Sequence, residues 1–362
     1  MIFLYLFNYI PMKKFYSLKV LEIESLTSDS VKIVFDTLKE DAFSFKAGQY
    51  ITLRKYINDE DVRRSYSLSS APEEGVEIGV KRIENGLMST FLTKELKVGD
   101  YVDVMPPTGN FYLDSKDLDT HYVAICAGSG ITPILSMIKQ VVSENPNISF
   151  TLIYGNQTRN SVMFLDELQS LEHNFQSQLF IHYTFSRQDV SDCLKGRINS
   201  SLLENLFKSS RILKEADSYF LCGPGQMIDN VNKFLEDLGV NANKINFERF
   251  TSGIVSEDNI IIDTKEDEII SNVIVSVDGD DFNFELSSKG DTILDAAMNA
   301  GADVPFSCKG GVCCVCKAKV MEGIVTMDAN YSLSEEEVAD GFVLGCQARP
   351  ASANVVVDFD EM

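Results

Sequence analysis

Four of the eight cysteines fall within nine residues: Cys308, Cys313, Cys314 and Cys316. Such crowding suits metal ligation better than a set of ordinary disulfides. Cys308, Cys313 and Cys316 read C-x4-C-x2-C, and Cys346 follows thirty residues after Cys316. In that spacing four thiolates hold the two irons of a [2Fe–2S] cluster. Gly310 and Gly311 stand where backbone amides must approach sulfide and a Cβ would obstruct. Those amides can donate hydrogen bonds to the cluster sulfurs and raise its potential. Zinc is the alternative, but zinc ribbons use paired C-x2-C knuckles, and one such pair exists here. Cys314 is off the spacing and reads as a bystander whose side chain points away from the cluster.

Three further motifs carry chemistry. "AGSGITP", Ala127–Pro133, follows a strand pattern and opens a helix pattern. A glycine-rich turn of this kind binds pyrophosphate on exposed amides at a positive helix end. It departs from G-x-G-x-x-G in having Pro133 at the third glycine. "LCGPGQMI", Leu221–Ile228, closes another strand, with Gly223 and Gly225 permitting close backbone approach. Within it Cys222 is either a small core hydrophobe or a thiol beside a ligand. "RSYS", Arg64–Ser67, is short, and by itself also fits an edge strand with a solvated Arg. Its setting, after "FKAGQYITL" and before "GVKRIENGLMST", sharpens it.

These motifs need three kinds of scaffold. Residues 12–115 show short alternating strands broken by Gly48, Pro72, Gly75 and Gly99, which predicts an antiparallel β-barrel. Residues 118–250 alternate strands ("HYVAIC", "SFTLIYG", "LFIHYTF", "DSYFLCG", "KINFERF") with helical patterns, which predicts an α/β domain with a parallel sheet. Residues 251–268 are acidic without a sustained period and read as a linker. Residues 269–362 open with a hairpin around Asp278-Gly279, then a helix with Ile293, Leu294, Ala297 and Met298 on one stripe stopped by Gly301, and then the cysteine loop: a compact α+β unit.

Composition bounds the function. With 54 Asp+Glu against 32 Lys+Arg the net charge is −22, which disfavours nucleic acid and anionic membranes as partners. From Lys265 onward 19 acids face 6 bases, a surface suited to a cationic partner or simply to solubility. Residues 1–10 are apolar but too few to span a bilayer, and Lys13 and Lys14 follow rather than precede them, unlike a signal peptide. We read Met12 as the natural domain start, with a weak membrane anchor as the alternative, and expect a cytoplasmic protein. His121, His173 and His182 lie in no catalytic spacing and are expected to be structural.

On these residues, 12–250 resembles the ferredoxin–NADP reductase family and 269–362 resembles plant-type ferredoxins with their β-grasp fold. The resemblance implies that Arg64 pairs with the flavin phosphate, Tyr66 stacks on the flavin, and Ser67 bonds flavin N5. Gly86, Leu87, Met88 and Ser89 would open a helix over the phosphates, with Val80, Lys81, Thr132 and Phe250 also near the flavin. It implies that Gly128, Ser129, Gly130, Gly223 and Met227 bind the nicotinamide cofactor, with Cys222 near its C4. Ser67, Cys222 and Glu248 would be the catalytic set, although a core Phe250 and a solvated Glu248 read almost as well. An NAD site often has a carboxylate after the second strand. Here that strand ends "YGNQ", while Ser186 and Arg187, with Arg159 and Arg197 nearby, match the family's 2′-phosphate site, so NADPH is expected. FAD is expected rather than FMN.

The domain order resembles reductase components of phenylacetyl-CoA epoxidase systems, and more loosely those of steroid and ring-hydroxylating oxygenases. It implies hydride transfer from NADPH to flavin, then single electrons through the cluster to an oxygenase. A reductase of a ring-hydroxylating, steroid or desaturase oxygenase and a redox-sensing module are the rivals. The acidic run Glu335–Glu337 is expected to border the partner's docking face, unless it is only the start of a helix after Ser334. In that case apolar contacts around Phe306 would carry docking.

Overall fold

The computed structural model describes residues 15–37, 41–113, 120–250 and 268–361. Residues 1–10, both candidate starts and nearly all of the expected linker lie outside the described residues.

The first unit is a six-stranded antiparallel sheet: β1 (Tyr16–Thr27), β2 (Ser30–Asp36), β3 (Tyr50–Ile57), β4 (Glu60–Ser67), β5 (Val76–Lys81) and β6 (Tyr101–Thr108), in the order β4-β3-β6-β1-β2-β5. A bridge between Leu68 and Ile78 joins the end of β4 to β5 and closes the barrel. Period-two alternation turns Leu18, Val20, Ile33, Leu53, Ile78 and Val104 inward, all nearly or fully buried. Asn58 (φ 53°) and Asp59 (φ 64°) make the β3–β4 turn, the two left-handed positions of a type I′ hairpin. β6 is the strand that sequence reading missed, because "YVDVMPPT" carries two prolines. The ladder tolerates them where its register against β3 shifts, between the Tyr50–Thr108 and Thr52–Met105 pairs. A short helix, α1 (Leu87–Thr90), packs beside β3 and β4 with Met88 in the barrel core.

The second unit is a parallel sheet in the order β10-β9-β8-β7-β11-β12. Its strands are β7 (His121–Ala127), β8 (Ser149–Asn156), β9 (Leu179–Phe185), β10 (Leu194–Lys195), β11 (Ser218–Gly223) and β12 (Ile245–Arg249). On one face α2 (Ile131–Glu144) and α3 (Leu165–Asn174) cover Tyr122, Ala124 and Cys126. On the other, α4 (Ser200–Ser209), α5 (Arg211–Lys214) and α6 (Gly225–Asp237) cover Val123 and Ile125. α6 packs because Ile228, Val231, Phe234 and Leu235 share one stripe.

The third unit pairs β13 (Ile270–Val277), β14 (Asp280–Ser287), β19 (Asn354–Asp358), β15 (Lys317–Glu322) and β17 (Phe342–Leu344) in the order β14-β13-β19-β15-β17. A small ribbon of β16 (Val325–Met327) and β18 (Ala348–Pro350), with α7 (Ile293–Asn299) and α8 (Glu335–Ala339), completes it. Asp278 (φ 53°) and Gly279 (φ 81°) turn the β13–β14 hairpin as expected. Val273, Val275 and Val277 are buried beneath Ile293, Leu294 and Ala297. Among the described residues no helix is long and apolar enough to cross a membrane.

Candidate functional site

The sulfur group forms because β15, β17 and the loop before them fold back on one core. Cys313, Cys316 and Cys346 are buried and Cys308 half-buried. Cys308 Sγ and Cys313 Sγ lie 3.2 Å apart. Cys346 is within hydrogen-bond reach of both Cys316 and Cys308. The Gly310 amide donates to Cys308 Sγ at 3.3 Å, and the Val312 amide also points there. Hydrogen bonds from Cys313 and Cys346 draw the Cys308 thiol far below its ordinary pKa, while its partners are pushed up. The thiols of Cys308, Cys313, Cys316 and Cys346 gather as one linked set, in which Cys308 reaches both Cys313 and Cys346, and Cys346 reaches both Cys308 and Cys316. Cys314 does turn away: its thiol donates to the Ser332 carbonyl at 3.4 Å.

The barrel and the parallel sheet meet at a second cluster. Ser67, at the end of β4 and 4% exposed, donates to Glu248 Oε2 at 2.9 Å. Burial, only partly offset by that bond, pushes the Glu248 carboxyl up to about 8. Glu248 lies beside Cys222 across the β11–β12 ladder. The Cys222 thiol, fully buried, is pushed well up by burial first and then by Glu248 and Cys126. It is a neutral thiol at the position of a core residue. Gly130 is required here, since a Cβ would stand 2.4 Å from the Cys222 carbonyl oxygen. Thr132 sits across from Gly79, where an added Cβ would meet Thr132 Cγ2 at 2.8 Å. Gly128 (φ 58°) and Gly223 (φ 147°) take backbone conformations that favour glycine. The expected residues 67, 130, 132, 222 and 248 thus converge from two units.

Arg64 on β4 is exposed, and its guanidinium donates to the Arg63 carbonyl at 2.7 Å. Tyr66 is half-buried and packs against the barrel core, its phenol pushed up by burial. Gly86 caps α1, and Ser89 Oγ accepts from the Ile83 amide at 3.1 Å. Val80 and Met88 are buried in the barrel core, so only their backbone is free to face a ligand. Leu87 and Phe250 are exposed, at 39% and 38%. Lys81 lies 3.8 Å from Asp29, and Met227 lines the Gly223 turn.

Two strands away from β7, the Ser186 and Arg187 amides donate to the carbonyls of Asn156 (3.0 Å) and Gln157 (2.9 Å), fixing that turn. The Arg187 side chain is exposed. Ser129 follows Gly128 in the turn before α2. His121 is structural as expected: its ring bonds Ser149 at 2.6 Å and Thr151 at 3.3 Å.

Sequence reading missed what joins the first and third units. Tyr50, Met105, Cys308, Cys313 and Val315 form a single apolar cluster, and the Cys314 amide donates to the Tyr50 hydroxyl at 3.0 Å. Ser65 and Ser307 hydroxyls lie 2.8 Å apart. Phe306, expected as the alternative docking contact, is only 6% exposed and covered by the Arg63 guanidinium at 4.3 Å. Glu337 is likewise engaged within the chain, with Lys317 (3.1 Å), Asn110 (3.1 Å) and the Ser334 amide (2.9 Å). Glu335 and Glu336 remain exposed. The one available sequence signal was "RRSYS": in a strand, adjacent arginines point to opposite faces.

Family models match all three units: an oxidoreductase FAD-binding domain over residues 17–112, an oxidoreductase NAD-binding domain over 124–233, and a 2Fe-2S iron-sulfur cluster binding domain over 275–351. The chain belongs to the ferredoxin–NADP reductase family of flavin- and nicotinamide-dependent oxidoreductases, in the branch that carries a C-terminal plant-type [2Fe–2S] domain. It is 39% identical over 356 residues to one of the subunits of the 1,2-phenylacetyl-CoA epoxidase of Escherichia coli (strain K12), covering 96% of this chain and 99% of that one. It is 31% identical over 344 residues to the 3-ketosteroid-9-alpha-monooxygenase ferredoxin reductase component of Rhodococcus rhodochrous, covering 92% and 93%. Among solved structures, phthalate dioxygenase reductase matches with a TM-score of 0.60 and 26% identity, over 95% of this chain and 98% of that one.

Proposed function

We propose that the protein takes hydride from NADPH onto FAD and passes electrons one at a time through its [2Fe–2S] cluster to an oxygenase component of the phenylacetyl-CoA epoxidase kind. One observation carries the reading. β4 bonds to both neighbours from residues two apart: Ser67 to Glu248 of the nicotinamide unit (2.9 Å) and Ser65 to Ser307 beside the cluster cysteines (2.8 Å). The flavin-type barrel therefore stands between a hydride donor and a one-electron carrier. When bound, the flavin accepts two electrons together and releases them singly, which neither neighbour can do.

The chain's own residues position and tune. Arg64, exposed and without an ion pair among the described residues, would fork onto the flavin phosphate, aided by the α1 amides after Gly86 and by Ser89. Tyr66 would flank the ring, with backbone of Val80, Lys81, Leu87 and Met88 and the side chains of Thr132 and Phe250 lining the rest. With Glu248 holding a proton at neutral pH, that carboxyl would turn donor to Ser67 Oγ, which frees the single Ser67 hydroxyl proton for the hydride-accepting nitrogen. The turns Gly128-Ser129-Gly130 and Cys222-Gly223, with Met227, would seat the nicotinamide. Neutral, buried Cys222 packs rather than reacts. Ser186 and Arg187 favour NADPH, since Asn156 and Gln157 offer no carboxylate to a ribose 2′-hydroxyl. Cys308, Cys313, Cys316 and Cys346 would ligate the irons.

The test is anaerobic mixing of the purified holoprotein with NADPH. Flavin bleaching followed by reduction of a 2Fe–2S signal, with turnover on adding the oxygenase component, is expected. Reduction of the flavin without reduction of the cluster would overturn the electron path. A protein that oxidises no nicotinamide with any acceptor would favour a sensor.

A further inference from the structure

Arg63 is the most deeply buried guanidinium at the junction of the first and third units, with 4% of its side chain exposed. It belongs to the barrel, where Asp61 Oδ2 accepts from its Nε at 3.0 Å and its Nη2 at 2.7 Å. The rest of its fork crosses to the iron–sulfur unit: Asp303 Oδ1 at 3.1 Å, the Val304 carbonyl at 3.4 Å, and the Phe306 ring at 4.3 Å. Planar, five-donor and weakly hydrated, a guanidinium suits such a buried multi-partner contact where an ammonium does not. Its grip falls on Asp303–Phe306, the segment that leads directly into Ser307 and Cys308. Two residues along β4 from Arg63, Ser65 meets Ser307. On the adjacent strand Tyr50 holds the Cys314 amide and packs with Cys313. Cys316 and Cys346, by contrast, pack into the third unit's own core.

We propose that Arg63 is a positioning residue that latches the iron–sulfur unit onto the barrel through Asp303 and Val304. The Ser65–Ser307 contact then completes a short bonded route from β4 to the Cys308–Cys313 side of the cluster. Electrons from the flavin enter the cluster on that side. This rests on the proposed electron path: the reduced flavin is oxidised by one electron, the oxidised cluster is reduced by one, and no bond is made or broken. The latch also removes Phe306 and the Cys313 side from the surface, so an oxygenase docking on the latched protein meets a different face of the iron–sulfur unit.

The experiment compares the wild-type holoprotein with Arg63→Ala, Arg63→Lys, Asp303→Asn and Ser307→Ala. The Asp303 side chain is 78% exposed, so its replacement should leave both folds intact. Hydrogen exchange without nicotinamide should rise at least tenfold across 302–308 and β3–β4 in Arg63→Ala, and less in Asp303→Asn. Arg63→Lys should resemble Ala rather than wild type. In stopped flow, flavin reduction should keep its wild-type rate while cluster reduction slows tenfold or more in Arg63→Ala. Ser307→Ala should slow cluster reduction several-fold with exchange unchanged. Unchanged exchange at the junction in both Arg63→Ala and Asp303→Asn would overturn the latch, and an unchanged cluster rate in Ser307→Ala would overturn the route. Should Arg63→Ala misfold, Asp303→Asn decides the matter alone. A wild-type protein whose cluster is never reduced by its flavin would sink the proposed function instead, while leaving the exchange result to judge the latch.

Discussion

Replacing Glu248 with glutamine should make the protein's stability less dependent on pH, with a sign set by burial. The Glu248 carboxyl titrates near 8 in the folded chain against an ordinary 4.5. The folded state therefore keeps a proton that the unfolded chain releases, and wild-type stability is lost as pH rises from about 4.5 towards 8. Each unit of pKa difference corresponds to about 1.4 kcal/mol. Between pH 5 and pH 8 the integrated loss is about 3.5 kcal/mol, and partial solvent access to the half-buried carboxyl brings the expectation to about 2–3 kcal/mol. The substituted amide cannot ionise, yet its oxygen can still accept from Ser67. Glu248→Gln should thus match wild type at pH 5 and exceed it by about 2–3 kcal/mol at pH 8. Urea-dependent hydrogen exchange of the β11 and β12 amides reads the opening free energy of this unit without relying on a single unfolding transition of a three-unit chain. A stability gap between the two proteins that stays constant from pH 5 to pH 8 would refute a burial-raised Glu248.

Four further outcomes follow from the site. Cys346→Ala should abolish the visible absorption and the iron of the third unit while leaving flavin in place; zinc at that site in an anaerobic wild-type preparation would contradict the two-iron reading. Gly130→Ala drives a Cβ to 2.4 Å from the Cys222 carbonyl, so it should destabilise the nicotinamide unit by about 1–3 kcal/mol and weaken dinucleotide binding, measured by denaturation and titration. Arg187→Ala should weaken NADPH by about 1.5–3 kcal/mol in calorimetry and leave NADH nearly unchanged; equal losses would make Arg187 a fold residue. Turnover with the oxygenase should fall as salt rises above about 0.1 M while flavin reduction holds. Reversing exposed Glu335 and Glu336, but not the internally bonded Glu337, should reproduce that fall at low salt.

Much of this molecule was legible in the sequence because its signals are local. The C-x4-C-x2-C run, the glycines at 128, 130 and 223, the Asp278-Gly279 turn and the stripe of Ile228, Val231, Phe234 and Leu235 each state a backbone or packing requirement within one or two elements. A turn that needs positive φ, or a helix that needs one apolar face, declares itself by residue type and spacing. The parallel sheet and the sulfur donor set follow from such signals. β6 escaped because its prolines argue against a strand, and only its pairing with β3 shows that they fall at a register shift.

What tertiary structure alone decided is how distant segments meet. Ser67 and Glu248 are 181 residues apart and Arg63 and Asp303 240 apart, and no spacing rule links them. The elevated Glu248 carboxyl likewise depends on packing between two units, since an exposed Glu in "FERF" would titrate normally. Burial and hydrogen-bond partnership are properties of the assembled chain, so Glu337 and Phe306 changed meaning once folded, and Arg63, which no sequence signal singled out, acquired one. Two groups expected to face a partner became, together with Arg63, contacts between the iron–sulfur unit and the barrel.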